Sequence, residues 1–264
     1  MEYQSHLFQH DPTDKMKTLN KVPVTPTHLF GEGISHYFIW KTDENGNKIK
    51  EHRLIQITWK DEVGFIYSLP DLQIIKKFTY QTSTGEGWGI TFVEHTLEFY
   101  VSDGSEYLMV WDAETLEEKR RITVTFDRGS ETVTVNFLNE LEFVDFDPQD
   151  AASVQEGRQR CDTSGSGNGQ CLNNAATSSF TPTMRILANI WFQDVLVSID
   201  PVSGVITRVY NLGDIYPIHQ RQKDGADVLN GISVTGSNAD GEGGLQLWVT
   251  GKLWPSMYRI QLID

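Results

Sequence analysis

The sequence is short of several things, and each scarcity removes a class of answer. Cysteine is nearly missing: Cys161 and Cys171 are the two in 264 residues, too few for a disulfide-built scaffold. Both fall in one Gly/Ser/Asn-rich stretch, where they either close a small loop in an oxidising compartment or stay as free thiols. No apolar run approaches the roughly 18 residues that span a bilayer, and Met1 to Lys17 is polar, without the apolar core of a signal peptide. No membrane partner, anchor or signal peptide is therefore expected in the sequence as it stands. Basic residues are outnumbered, with Lys+Arg 22 against Asp+Glu 36 and a net charge of −14. That balance argues against nucleic acid as a partner, since binding it requires cationic side chains that displace counterions. There is no Asn-X-Ser/Thr sequon. His36, His52, His95 and His219 show no ligand spacing and are expected at the surface, and no Ser/His/Asp arrangement can be placed. Helical periodicity is nearly absent.

What is present is a succession of short β-branched and aromatic runs. His36 to Trp40, Arg53 to Trp59, Val63 to Leu69 and Ile74 to Tyr80 are each bounded by turn formers, which is the signature of strands. Residues 1–26 are polar without a sustained period and read as a tail or connecting segment. From residue 27 to 264 the pattern repeats. Each unit opens on a Gly- or Asn-bearing motif: Phe30-Gly31-Glu32-Gly33-Ile34, Gly87-Trp88-Gly89-Ile90, Leu138-Asn139-Glu140-Leu141-Glu142 and Val228-Leu229-Asn230-Gly231-Ile232. Second and third strands follow each opening, and a fourth follows in the first three units. Four antiparallel strands at a period of roughly 50 residues describe the blades of a β-propeller, an all-β fold. A last unit without its fourth strand suggests a ring closed by the early chain, which would supply that strand. Residues 147–182, poor in apolar side chains, read as a disordered insertion in the third blade.

In such a ring the opening strands line the central channel, and their ends form one face of the disk. Glu32, Asn139 and Asn230, with Asp103 as a further candidate, are expected to approach that face near Trp59, Trp88 and Trp191. The turn Val249-Thr250-Gly251-Lys252-Leu253-Trp254-Pro255 delivers a lysine to it. Taken singly, Glu32 and Lys252 read as solvated turn residues, Asn139 and Asn230 as turn or capping amides, and the tryptophans as blade core.

Taken together, the motifs are more specific. Phe30-Gly31-Glu32-Gly33, Val63-Gly64-Phe65-Ile66-Tyr67, Gly87-Trp88-Gly89, Leu138 to Glu142, Ala188-Asn189-Ile190-Trp191, Asp227 to Ile232 and Val249 to Pro255 occur in one order. In that order the chain resembles the plant and bacterial type of glutaminyl cyclase (glutaminyl-peptide cyclotransferase). The resemblance implies a five-bladed propeller, of which about four units are present here; the family's front blade, opening on Phe-Thr-Gln-Gly, has no counterpart before Thr27. It implies conversion of N-terminal glutamine of peptides or proteins to pyroglutamate with release of ammonia, without a catalytic metal or cofactor. By matching motifs, the catalytic glutamate falls on Glu32, the active-site asparagine on Asn139 and the lysine on Lys252. Phe30, Trp59, Trp88 and Trp191 fall in the substrate pocket, and Asn230 is added to the substrate-binding set from its place in the repeat. A monomer is expected, in the secretory pathway or outside the cell by family resemblance.

The chemistry asks for such residues. The α-amine must lose a proton and the departing amide nitrogen must gain one, and a partly desolvated carboxyl can carry both. Asn139 and Lys252 could donate to the amide oxygen as charge develops there, a contribution of about 3 kcal/mol per donor. Two other readings remain open at this stage: a calcium-dependent, lactonase-like hydrolase using the carboxylate and amides as ligands, and a non-catalytic propeller that binds peptides on its face.

Overall fold

The structure, a computed structural model, describes residues 4–11, 17–145, 184–237 and 245–262. Among the described residues it is all-β apart from one seven-residue helix, α1 (Ile218–Asp224), which ends on Gly225 in the left-handed conformation. Three antiparallel sheets have four strands each. They are β3 (Gly31–Thr42), β4 (Lys48–Thr58), β5 (Val63–Ser68) and β6 (Ile74–Thr79); β7 (Ile90–Val93), β8 (Glu98–Val101), β9 (Tyr107–Asp112) and β10 (Glu118–Thr123); and β13 (Leu138–Asp145), β14 (Met184–Ile190), β15 (Val195–Ile199) and β16 (Ile206–Asn211). A fourth sheet holds β17 (Leu229–Ser237), β18 (Leu245–Gly251) and β19 (Tyr258–Leu262). The innermost strands β3, β7, β13 and β17 lie side by side in that order, so the sheets are four blades in a propeller arrangement.

The blade strands read as near-continuous apolar runs because both faces of each sheet are buried between blades. In β9, Leu108 and Val110 face the third blade while Met109 and Trp111 face the first. In β14, Ile186, Ala188 and Ile190 face the second blade and Leu187 the last. Strand periodicity thus assigns alternate residues to two different cores.

Two features depart from the sequence reading. First, the segment read as a tail contains a hairpin, β1 (His6–Asp11) and β2 (Lys17–Pro23). Leu7, Val24 and Leu29 pack on Phe65, Tyr67 and Leu72 of the first blade. Among the described residues this hairpin does not supply a fourth strand to the last blade, and β19 is bonded only to β18. The early chain covers the first blade instead of closing the ring, because its few apolar side chains are matched by an apolar patch there. Second, the fourth strand of the second unit ends at Thr123, and Thr125–Asp127 starts a separate hairpin, β11, with β12 (Thr132–Thr134). Thr125 N–H donates to the Gly204 carbonyl at 3.0 Å, tying this hairpin to the third blade. The segment 147–182, with Cys161 and Cys171, lies outside the described residues.

The inner strands approach one another more closely than side chains allow. A Cβ on Gly33 would sit 2.6 Å from the Trp88 carbonyl oxygen, and one on Gly89 would sit 2.1 Å from that of Asn139. No further strand is available to the inner edges, so polar side chains of the neighbouring blade satisfy them. Ser102 Oγ accepts from Gly89 N–H at 2.9 Å and donates to the Asn139 carbonyl at 2.7 Å. Thr91 Oγ1 accepts from Phe143 N–H at 2.9 Å, and the Asn189 amide oxygen accepts from Gly231 N–H at 3.2 Å.

Gly89→Ala is therefore expected to destabilise the protein by about 3 kcal/mol, since overpacking against rigid backbone cannot relax. The urea midpoint measures it. A midpoint within error of the wild type would mean that the inner strands are not held this tightly.

Candidate active site

Register places the site. Gly31 pairs with Thr58 and Ile34 with Gln56; Leu138 pairs with Ile190 and Leu141 with Ala188; Leu229 pairs with Gly251 and Ile232 with Val249. In each case two inner-strand residues oppose one, which is a β-bulge, and the bulged residues are Glu32/Gly33, Asn139/Glu140 and Asn230/Gly231. The same hydrogen bond closes each blade beside the bulge: Trp59 N–H to the Phe30 carbonyl, Trp191 N–H to that of Phe137, and Lys252 N–H to that of Val228, at 2.8–2.9 Å. Ser102 N–H donates to the Gly89 carbonyl at 3.0 Å in the second blade. Glu32, Asn139 and Asn230 therefore share one position of the repeat, and Trp59, Trp191 and Lys252 share another. In the second blade those positions hold the small residues Thr91 and Ser102, and Trp88 arrives from the preceding loop.

A continuous line of contacts joins most of the expected residues. Lys252 Nζ lies 6.0 Å from the centre of the Phe30 ring, and Phe30 meets Trp59 edge-on at 6.0 Å. Trp59 Nε1 and Trp88 Nε1 donate to the same oxygen, Glu86 Oε2, at 2.8 and 2.9 Å. Trp88 meets Trp191 edge-on at 5.2 Å, and Trp191 stacks on Phe192 at 4.0 Å. Gly104, at φ +81°, lies against the six-membered ring of Trp88, where a Cβ would come within 2.6 Å. Asn139 is 9 % exposed, and its backbone abuts Gly89, next to Trp88. Asn230 carries a buried amide oxygen without a partner.

Lys252 is exposed on a turn fixed from below. Trp254 folds over Gly251, where a Cβ would meet its ring at 2.3 Å, donates Nε1–H to the Asp227 carbonyl at 2.8 Å, and packs edge-on to Tyr216 at 5.1 Å. Trp254 thus serves as packing, and its effect is to aim the lysine.

The electrostatics centre on Glu32. Burial pushes its carboxyl up to about 7; the Lys252 ammonium pulls it down and the Glu86 carboxylate pushes it up. Farther along β13, Glu142 is raised to about 7 by burial, although Val234 N–H donates to it at 2.9 Å. Glu140 is held well above the usual carboxylate range by burial and by its neighbours Glu142 and Glu32. Glu140 thus feels the charge of both Glu142 and Glu32.

Asp103 does not join them. It is fully buried, and its Oδ2 accepts from the N–H groups of Ser83 and Thr84 while Oδ1 accepts from Ser105 N–H. It serves as a fixed anchor for two loops. His36, His52, His95 and His219 are exposed, as the sequence suggests. Among the described residues no group of three or more His, Cys, Asp or Glu is arranged to hold a metal ion, and no helix is long and apolar enough to cross a membrane. Glu86, Glu140 and Asn189 were not selected from sequence. Asn189, a polar residue inside an apolar run, had a readable signal; the flanking Gly85 and Gly87 mark the Glu86 loop as a turn but say nothing of its contacts.

Comparison with known proteins supplies the context. A family model described as glutamine cyclotransferase matches residues 1–150 and 168–262, and so includes the early segment that the motif set left out. A curated glutaminyl-peptide cyclotransferase of Arabidopsis thaliana is 27% identical over 255 residues, 95% of this chain and 57% of the relative. The chain thus spans little more than half the length of that relative. The crystal structure of Myxococcus xanthus glutaminyl cyclase superposes with a TM-score of 0.59 at 22% identity, covering 100% of this chain and 89% of that one. That likeness shows a shared fold.

The raised Glu32 carboxyl has a consequence for stability that needs no substrate. Between the ordinary value of 4.5 and about 7 the folded protein holds a proton that the unfolded chain has lost, so Glu32 lowers stability as pH rises through this window. Glu32→Gln should therefore be more stable than the wild type at pH 8, with the difference vanishing near pH 4. Urea unfolding of both proteins at the two pH values checks this; a difference independent of pH would place Glu32 in water.

Proposed function

The chain belongs to the glutamine cyclotransferase family, and from that premise we propose that it is a glutaminyl-peptide cyclotransferase with Glu32 as general acid and base. The substrates are peptides or proteins that begin with glutamine. The α-amine attacks the side-chain amide carbon, a C–N bond forms, and the bond to the amide nitrogen breaks to release ammonia. Glu32 takes the proton that the amine loses and gives it to the departing nitrogen. A carboxyl near pKa 7 is matched to both halves of that transfer at neutral pH. This is the observation that carries the proposal.

Lys252 and Asn139 are the proposed donors to the amide oxygen. Lys252 is near enough to pull on the Glu32 charge, and Asn139 occupies the matching bulge of the third blade. Phe30, Trp59, Trp88 and Trp191 are the proposed walls, which hold the glutamine side chain folded for five-membered ring closure and exclude competing water. Asn230, with its unpartnered amide oxygen, is a proposed acceptor for substrate N–H.

Mass spectrometry of a Gln-initiated peptide should show loss of about one ammonia, roughly 17 Da, as the ring closes. The rate should be unchanged by chelator and should fall by about 10²–10⁴-fold in Glu32→Gln, the usual range for losing a general acid/base. Retained turnover in that variant would remove the role assigned to Glu32. Chelator sensitivity would favour a metal-dependent hydrolase, and tight binding without product a peptide-binding propeller.

A further inference from the structure

Glu86 is a charged group of this face that the proposed reaction leaves without a task. It sits between Gly85 and Gly87 on the loop joining β6 to β7, and neither glycine is replaceable. Gly85 has φ +78°, and a Cβ on Gly87 would lie 2.2 Å from the Tyr80 hydroxyl and 2.9 Å from the Thr58 carbonyl oxygen. The loop is pinned at both ends. Gly87 N–H donates to the Trp59 carbonyl at 2.8 Å, and Thr82 Oγ1 donates to the Glu86 carbonyl at 2.8 Å. Thr84 Oγ1 donates to the Asp103 carbonyl at 2.8 Å, while the buried Asp103 carboxylate holds Ser83 and Thr84. Such a loop presents its side chain in one direction.

That side chain performs two jobs with two oxygens. Oε2 accepts both indole N–H groups, from Trp59 and Trp88. An indole N–H can only donate, and a carboxylate oxygen is the side-chain group best able to accept two such donors at once. Oε1 faces the Lys60 ammonium at 3.6 Å, and that ammonium lies 3.9 Å from the centre of the Trp59 ring. The corner thus already attracts an ammonium group, by a carboxylate on one side and an aromatic face on the other.

We infer that Glu86 is a positioning residue of this site: it locks Trp59 and Trp88 into one rigid aromatic corner beside Glu32, and its charge draws the substrate's α-ammonium to that corner. The inference rests on the cyclotransferase reading for the identity of the substrate but not for the recognition of a free N-terminal amine. It also explains why the site holds a second carboxylate. Glu32 must exchange protons in the proposed reaction, whereas Glu86 is engaged by two indoles and faces Lys60. Glu32 itself is faced by Lys252, Glu86 and Glu140, so removing the Glu86 charge should let Glu32 titrate at lower pH.

The test uses a ligand that binds without reacting. An Asn-initiated tripeptide has the same free amine, but its shorter side chain would need a four-membered ring. It and its Nα-acetyl derivative are titrated by tryptophan fluorescence against wild type, Glu86→Gln and Glu86→Ala. The wild type should prefer the free amine by at least about tenfold, the change that each ~1.4 kcal/mol of attraction produces. Glu86→Gln should lose that preference while the Trp59 and Trp88 indole N–H resonances stay in place, and Glu86→Ala should shift both resonances upfield. In Glu86→Gln the acid limb of kcat/KM should also move to lower pH. A preference unchanged in Glu86→Gln, or absent from the wild type, would overturn the role in amine binding. Unmoved indole resonances in Glu86→Ala would overturn the locking role. If that variant does not fold, Glu86→Gln still decides the question of charge. A wild type that prefers the free amine but never releases ammonia would sink the cyclotransferase reading and leave Glu86 as an amine-binding group.

Discussion

The close approach of the inner strands is the constraint on which the rest depends. Gly33 against the Trp88 carbonyl and Gly89 against that of Asn139 leave no room for a Cβ, so the blades meet backbone to backbone near the axis. Such contact strands N–H and carbonyl groups that no further strand can pair. Ser102, Thr91, Asn189 and Glu142 meet that need from the adjacent blade. The polar lining of the axis is therefore first a structural requirement. A carboxylate or amide recruited to satisfy it already stands in a desolvated place where its acidity is altered.

The bulges turn this scaffold into a site. A regular strand would send alternate side chains into the two blade cores, as β9 does with Leu108 to Trp111. One extra residue at the start of β3, β13 and β17 breaks that alternation at Glu32/Gly33, Asn139/Glu140 and Asn230/Gly231. Repetition supplies the positions, and divergence supplies the chemistry: a carboxyl, an amide and an amide at one position, two indoles and an ammonium at the other. The second blade, with Thr91 and Ser102 there, contributes structural bonds and leaves space that Trp88 and Glu86 occupy from a loop.

Much of this was legible in the sequence, for identifiable reasons. Strands buried on both faces, such as Leu108 to Trp111 and Ile186 to Ile190, carry so dense an apolar signal that blade order and boundaries follow from it. The opening motifs repeat because their glycines and asparagines answer the same crowding at each interface. The β1–β2 hairpin was hidden because it is mostly exposed and buries little beyond Leu7. Asp103 was misjudged as a site candidate because burial and turn anchoring leave no mark on a lone aspartate. Glu86 was passed over because its importance lies in two indole contacts from residues 27 and 2 positions away, a convergence that only the folded chain displays.

Every blade contributes something to the one face: Glu32 and Trp59 from the first, Trp88 from the loop entering the second, Asn139 and Trp191 from the third, Lys252 from the last. No short contiguous fragment of the chain contains this set of side chains. The approach of Lys252 to the Phe30 ring joins the first blade to the last, a contact of large sequence separation of the kind that forms slowly during folding. Assembly of this face is complete only when the first and the last blade have both folded, so its geometry reports on the chain from β3 to β18 at once.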